Sequence, residues 1–227
     1  EDDGFRVTVS GGQTYKAKAV IAATGMSRRK LGVPGEDKFQ RKGVFYGNVQ
    51  DLSFVQGKAA AVIGGGNSAM QIAENLATVA RMVHIVSDLP LGTTADAKAA
   101  DLLVARHNVA VYERYIVEEI AGDETVNTLA IRQLGSSDPL VLDVSGVFIA
   151  VGMHPNAAVV ADLAALNERG EILIRQDCST STPGFFAAGD VTDAYGKRII
   201  IAAGEGAKAT LAARQHLLNQ RRKTVKD

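Results

Sequence analysis

Sulfur is scarce in this chain: Cys178 is the sole cysteine among 227 residues. One thiol closes no intramolecular disulfide, so a secreted-type disulfide framework is excluded. Tryptophan is absent and aromatic residues make up 5%, too few for the stacking platforms that hold single-stranded nucleic acid. Net charge is lacking as well. The 25 basic and 25 acidic residues cancel, so no global field draws the chain to nucleic acid or to a membrane surface. The one basic run, RRKTVKD at Arg221–Asp227, reads as a frayed end. No apolar run approaches the roughly 20 residues needed to span a bilayer, and no signal-peptide pattern opens the sequence. The expectation is a cytoplasmic protein with no nucleic-acid or membrane partner. His84, His107, His154 and His216 show no ligand spacing, which argues against a metal site. No G-x-S-x-G elbow occurs, which argues against a serine hydrolase.

Hydrophobic residues make up 46% and charged residues 22%, enough to build one large domain or two small ones. FRVTV, the turn SGG and TYKAKAVIAA read as a β-hairpin with no lead-in, so the chain is expected to begin in the middle of a fold. Arg28–Gly43 carries charges, Gly and Pro and reads as a surface loop. Lys58–Gly64 is a short apolar run of the buried parallel type. In the stretch after it, Ala69, Ile72, Ala73, Leu76, Ala77 and Ala80 recur at helical spacing. MVHIVSD follows as a second strand, completing a βαβ unit. A second helix over 96–108, a strand VAVYER, a β-meander and a buried strand over Val147–Val151 come next. GEILIR and GFFAAGD read as strands, and a last helix starts near Ile200. The fold class is α/β.

The most informative stretch is Gly64-Gly65-Gly66-Asn67-Ser68-Ala69, a G-x-G-x-x-A pattern. It follows an apolar strand and opens an amphipathic helix, the context such a motif needs. Gly64 permits the tight turn, Gly66 lets the backbone approach a pyrophosphate, and Ala69 is small enough for helix and strand to pack. The helix N-terminus offers unpaired N–H groups to the phosphates. About 20 residues beyond such glycines, a carboxylate accepts hydrogen bonds from the ribose hydroxyls of NAD. Ser87-Asp88 stands there. A carboxylate repels a 2′-phosphate, so NADH is expected over NADPH; the plainer alternative is that Asp88 is an ordinary loop carboxylate.

Several segments together resemble one family. They are ATG with VPGED (Ala23–Asp37), KGVFY (Lys42–Tyr46), GKAAAVIGGGNSA, GVFIAVGMHPN (Gly146–Asn156), GFFAAGDVTD (Gly184–Asp193) and IIIAAGEGAKATLAA (Ile199–Ala213). In this order they resemble the FAD-dependent pyridine nucleotide-disulfide oxidoreductases, and within them the thioredoxin reductases and the flavoprotein subunit of alkyl hydroperoxide reductase. The resemblance implies two Rossmann-like domains, an NAD(P)H-binding domain at 44–152 inserted into an incomplete FAD-binding domain at 1–43 and 153–227. It implies FAD contacts at Gly189-Asp190 and a helix start after Arg198-Ile199 lying against the flavin, where a positive helix end suits reduced flavin. Thr24, Gly25 and Gly152 fall in matching segments and join the implied cofactor set. A homodimer is implied by analogy alone.

The departures are as informative. The family's N-terminal FAD fingerprint is not among these residues. Its Cys-x-x-Cys would fall on Gly47-Asn48-Val49-Gln50, where Gly47 and Gln50 replace the two thiols and neither forms a thiolate. Asp51 matches the family's proton-donating aspartate; with no thiols to serve, a helix-start cap is the expected use. Cys178 reads as a buried, inert thiol. The family's NADPH arginine pair would fall on Asp88 and Leu89, in line with NADH. Its flavin-side glutamine matches Arg198. Two functions therefore compete. One is a flavoprotein oxidoreductase that passes hydride from NAD(P)H to FAD and then to a small-molecule or small redox-protein acceptor. The resemblance includes cysteine-free ferredoxin–NAD(P) reductases of this fold. The other is a non-catalytic NAD(H)-binding sensor or interaction module.

Overall fold

The computed structural model describes residues 4–47, 49–93 and 95–224. Asn48, the residues that precede the expected hairpin and the last three of the basic tail lie outside that description. The chain divides into two compact units: Glu1–Ser27 with Met153–Asp227, and Arg28–Gly152. The second is inserted into the first.

The first unit opens with an antiparallel pair, β1 (Phe5–Thr8) and β2 (Thr14–Ala17). The expected long return strand does not continue through Lys18. It breaks, and β3 (Val20–Ala22) joins a different sheet. The physical reason is that β2 is almost wholly exposed against β1 alone, whereas β3 takes a partner distant in sequence. The short β4 (Met26–Arg28) follows, in a stretch with no strand pattern of its own.

Residues 28–43, expected with the first flank, pack with the inserted unit. Phe39 is buried in its core, and the Pro34 carbonyl accepts a hydrogen bond from the Ile120 backbone at 3.0 Å. The Glu36 carboxylate, only 2% exposed, accepts from the backbone N–H groups of Leu31 (3.0 Å) and Gly32 (2.7 Å) and from the Tyr46 phenol (2.6 Å). A buried carboxylate needs such a donor set.

The elements of the inserted unit are β5 (Val44–Tyr46), β6 (Ala59–Ile63), α1 (Asn67–Ala77), β7 (Met82–Ser87), α2 (Ala97–Val104), β8 (Val109–Glu113), β9 (Tyr115–Gly122), β10 (Val126–Gln133), β11 (Pro139–Asp143) and β12 (Val147–Ile149). Five strands make a parallel sheet in the order β5-β12-β6-β7-β8. All five residues of β6 are buried, as its continuous apolar run demands of a strand covered on both faces. One face is covered by α1 through Ala69, Met70, Ile72, Ala73, Leu76 and Ala77. The other is covered by the antiparallel meander β11-β10-β9, with Ile120, Val126, Leu129 and Ile131 at its centre. β12 ends at Ile149, two residues before the expected Val151.

After β13 (Met153–Pro155), which pairs with β4, the first unit resumes. GEILIR forms no strand: Ile172 makes only isolated bridges to Leu166 and Thr192, because both neighbours are loops with no ladder to extend. β14 (Phe185–Ala187) runs parallel to β3. α3 (Ile199–Thr224) covers Phe186 and Ala188 through Ala209 and Ala213.

Candidate functional site

In the inserted unit, the C-terminal strand ends carry the candidates. The register pairs Ile149 with both Tyr46 and Ile63, Ile63 with Val86, and Ser87 with Glu113. One sheet edge therefore presents Gly47, Ala150, Gly64 and Asp88. The chain leaves β6 toward β7 on one side, while β12 lies on the other. That is a topological switch point, where open parallel sheets bind ligands.

The glycine turn is built tightly. Gly64 has φ +126°, and a Cβ there would stand 2.5 Å from the Ala150 carbonyl oxygen. Only glycine meets both demands. A Cβ on Gly65 would stand 2.5 Å from Ser87 Oγ. Gly66 is the N-cap of α1, with extended backbone and no capping side chain. The N–H groups of the first helical turn are thus left for a ligand. Ala69 is fully buried against the sheet. Asn67 is half-buried and Ser68 exposed. The Asn67 side chain is engaged, its Oδ1 accepting from the Asp96 backbone at 2.8 Å. It latches the loop ahead of α2.

Ser87 and Asp88 part company. Ser87 is 2% exposed, and its Oγ accepts from the Leu89 backbone at 3.3 Å. It sits beneath Gly65 and shapes the turn, which corrects the expectation that it faces a ligand. The last inward position of β7 points it into the interior. Asp88, the next residue, is exposed and alone of the two is placed to meet a ribose. Gly152, at φ +92° and exposed, accepts from the Arg29 backbone at 3.1 Å.

At the position of the missing dithiol, Gly47 donates to Ile149 at 3.1 Å and has φ +77°. The Arg28 guanidinium lies against it in the space a Cβ would take. Gln50 is exposed. Asp51 accepts from the Ser53 backbone at 2.9 Å, at the start of the short 3-10 helix Ser53–Val55. That hydrogen bond holds its carboxyl below the usual carboxylate range. A helix-start cap fits this geometry; a proton donor does not.

In the other unit, Thr24 and Gly25 are locked to Asn156. The Thr24 hydroxyl donates to the Asn156 carbonyl at 2.7 Å, and Asn156 Nδ2 returns to the Thr24 carbonyl at 2.9 Å. Asn156 also donates from its backbone to Gly25 at 2.9 Å, and Ser27 donates to its Oδ1 at 2.7 Å. In the sequence Asn156 is one letter of a longer motif; nothing local marks it as the hub of these contacts.

Gly189 (φ +79°) and Thr192 close a turn around Asp190, the Thr192 backbone donating to the Gly189 carbonyl at 3.0 Å. Val191 is buried, while Asp190 is half-exposed and its carboxylate makes no hydrogen bond or ion pair among the described residues. The loop then runs to Arg198, which is exposed and donates from its guanidinium to the Lys197 carbonyl at 3.1 Å. Ile199 opens α3 and is 92% exposed. Cys178 is fully buried, and burial pushes its thiol up, leaving it inert.

A parallel sheet with a glycine turn at its switch point defines a dinucleotide-binding α/β protein. The chain belongs to the pyridine nucleotide-disulphide oxidoreductase family, whose sequence profile matches residues 2–215. It is 36% identical over 217 residues to the flavoprotein subunit of alkyl hydroperoxide reductase from Staphylococcus epidermidis, covering 96% of this chain and 43% of that protein. The Staphylococcus aureus counterpart gives the same figures. Among solved structures, thioredoxin reductase of Lactococcus lactis superposes with a TM-score of 0.76 at 28% identity, covering 95% of this chain and 75% of that one. Thioredoxin reductase of T. acidophilum gives 0.74 at 31%, covering 96% and 71%. The chain thus spans less than half the length of the staphylococcal relatives. Members of this family use FAD and a nicotinamide nucleotide. The tight Gly64-Gly65 turn fits the nucleotide, and the unpartnered Asp190 fits the hydroxyls of a flavin side chain.

Proposed function

We propose that this chain forms the nucleotide-handling part of a thioredoxin-reductase-like flavoprotein oxidoreductase that passes hydride from NADH to FAD. The unit Arg28–Gly152 binds the nicotinamide nucleotide, and the flanking unit contributes to the FAD site. The carrying observation is the pairing, in one chain, of a glycine turn that admits no Cβ with an Asp190 carboxylate left free of protein partners among the described residues. A pure NAD sensor has no use for the second.

The residues divide the work. The first turn of α1 receives the pyrophosphate, with Gly64 and Gly65 clearing its approach. Asp88 accepts from the ribose and repels a 2′-phosphate, which favours NADH. Asp190 accepts from the flavin side chain, and Arg198 with the start of α3 favours negative charge on it. Bound FAD supplies the hydride acceptor and the exit for the electrons. With Gly47 and Gln50 at the dithiol position, the electrons leave to a small molecule or a small redox protein. The setting is cytoplasmic.

Anaerobic titration of the FAD-loaded protein with NADH and with NADPH tests this reading. NADH is expected to bleach the flavin band at lower concentration than NADPH. No bleaching by either nucleotide overturns it. The lost dithiol favours a second reading, a non-catalytic NAD(H)-binding sensor or interaction module. Calorimetry showing NADH binding with no FAD uptake would select that one.

A further inference from the structure

The flanking unit buries a carboxylate to which the proposed hydride transfer assigns no task. Glu205 lies on the first turns of α3 and is 7% exposed. Its Oε2 accepts from the Gly189 backbone N–H at 2.7 Å and lies 3.3 Å from the Thr192 hydroxyl. The same hydroxyl lies 2.8 Å from the Gly189 carbonyl oxygen. Glu205 makes no ion pair among the described residues; neutral donors alone hold its charge. Such burial is costly and persists where the group organises its surroundings.

We propose that Glu205 is the positioning residue of the Asp190 turn. It grips both ends of the turn, Gly189 and Thr192, while the two central residues diverge. Val191 is driven into the core and Asp190 is left facing outward. Gly189 is held at φ +79°, where its N–H points at α3 and not at a neighbouring strand. The helix that begins at Ile199 is thereby tied to the strand end that carries Asp190. A second buried carboxylate pins the far end of the same loop. Glu171, also 7% exposed, pairs with Lys197 at 3.0 Å, and Lys197 donates to the Thr192 carbonyl. The loop from Gly189 to Arg198 is therefore fixed from two sides, so the free Asp190 carboxylate is presented in one orientation. The inference rests on the flavin reading only for the identity of the ligand that Asp190 meets.

The test compares Glu205→Ala, Glu205→Gln and Asp190→Ala with the parent protein in two measurements. The first is hydrogen exchange at the Gly189 amide without ligand. The second is FAD affinity by flavin fluorescence. Glu205→Ala removes the acceptor, so Gly189 exchange is expected to rise and FAD affinity to fall, each about tenfold. Glu205→Gln keeps an acceptor oxygen of the same reach and is expected to restore most of both. Glu205→Ala with Gly189 still protected overturns the proposal, as does unchanged FAD affinity where Asp190→Ala weakens it. A freed Gly189 amide with FAD affinity unchanged in both Glu205→Ala and Asp190→Ala leaves the positioning role standing and overturns the flavin reading.

Discussion

The guanidinium of Arg28 rests on the backbone of Gly47, in the space a side chain at that position would need. Gly47 also holds φ +77°, a conformation that costs other residues about 1–2 kcal/mol. The absence of a thiol here is thus matched by a backbone and a neighbour adapted to glycine. Gly47→Cys combined with Gln50→Cys is expected to lower stability by about 1–2 kcal/mol in urea unfolding. It is also expected to confer no NADH-driven reduction of a small disulfide. Adding Arg28→Ala relieves the contact but not the φ, so part of the loss persists. A double variant as stable as the parent would contradict this.

The glycine turn makes a sharper, paired prediction. Gly65→Ala drives a methyl group onto Ser87 Oγ, 2.5 Å away, and is expected to weaken NADH binding at least about tenfold. Ser87→Ala removes that oxygen. Combined with Gly65→Ala, it should recover much of the affinity, although alone it changes little. The coupling is read by calorimetry as a double-mutant cycle. Additive effects would sink the contact argument.

Nucleotide choice rests on Asp88, which is exposed at the end of β7. Asp88→Arg replaces a repulsive charge with one that attracts a 2′-phosphate. The ratio of NADPH to NADH affinity should rise about tenfold or more, and the rise should shrink in high salt. An unchanged ratio would mean that Asp88 is a bystander.

His84 gives the inserted unit a pH dependence. It sits on β7 with its ring 5.7 Å from that of Tyr112, and burial, with help from Arg81, lowers its pKa below 6.5. The folded state thus binds fewer protons than the unfolded state in this range. Its contribution is fully present above pH 6.5 and is lost as pH falls through the folded pKa. Thermal midpoints should fall between about pH 7.5 and about pH 5.5, and His84→Phe should flatten that slope. A slope unchanged in the variant would assign it elsewhere.

Much of the inserted unit is legible in the sequence because its signals are local. The wholly apolar AAAVI, the glycines and the helical spacing from Ala69 each lie within a few residues, and their meaning survives in any context. The expected boundary at Val44 differs from the observed one at Arg28 because charge, Gly and Pro between 28 and 43 mark a loop without saying which core it joins. Phe39 and Glu36 decide that by burial against residues far along the chain and beside it. GEILIR fails as a strand for the converse reason: its pattern is right, but no ladder partner stands beside it.

By itself the sequence determined the family, the nucleotide turn and the loss of both thiols at positions 47 and 50, since these are matters of residue identity and short spacing. Tertiary structure alone decided that Ser87 lies under Gly65 rather than against a ligand, that Arg28 covers Gly47, and that Glu205 reaches back 16 residues to hold Gly189. Each of those is a contact between segments brought together only by packing, and no local pattern encodes which buried atom will meet which.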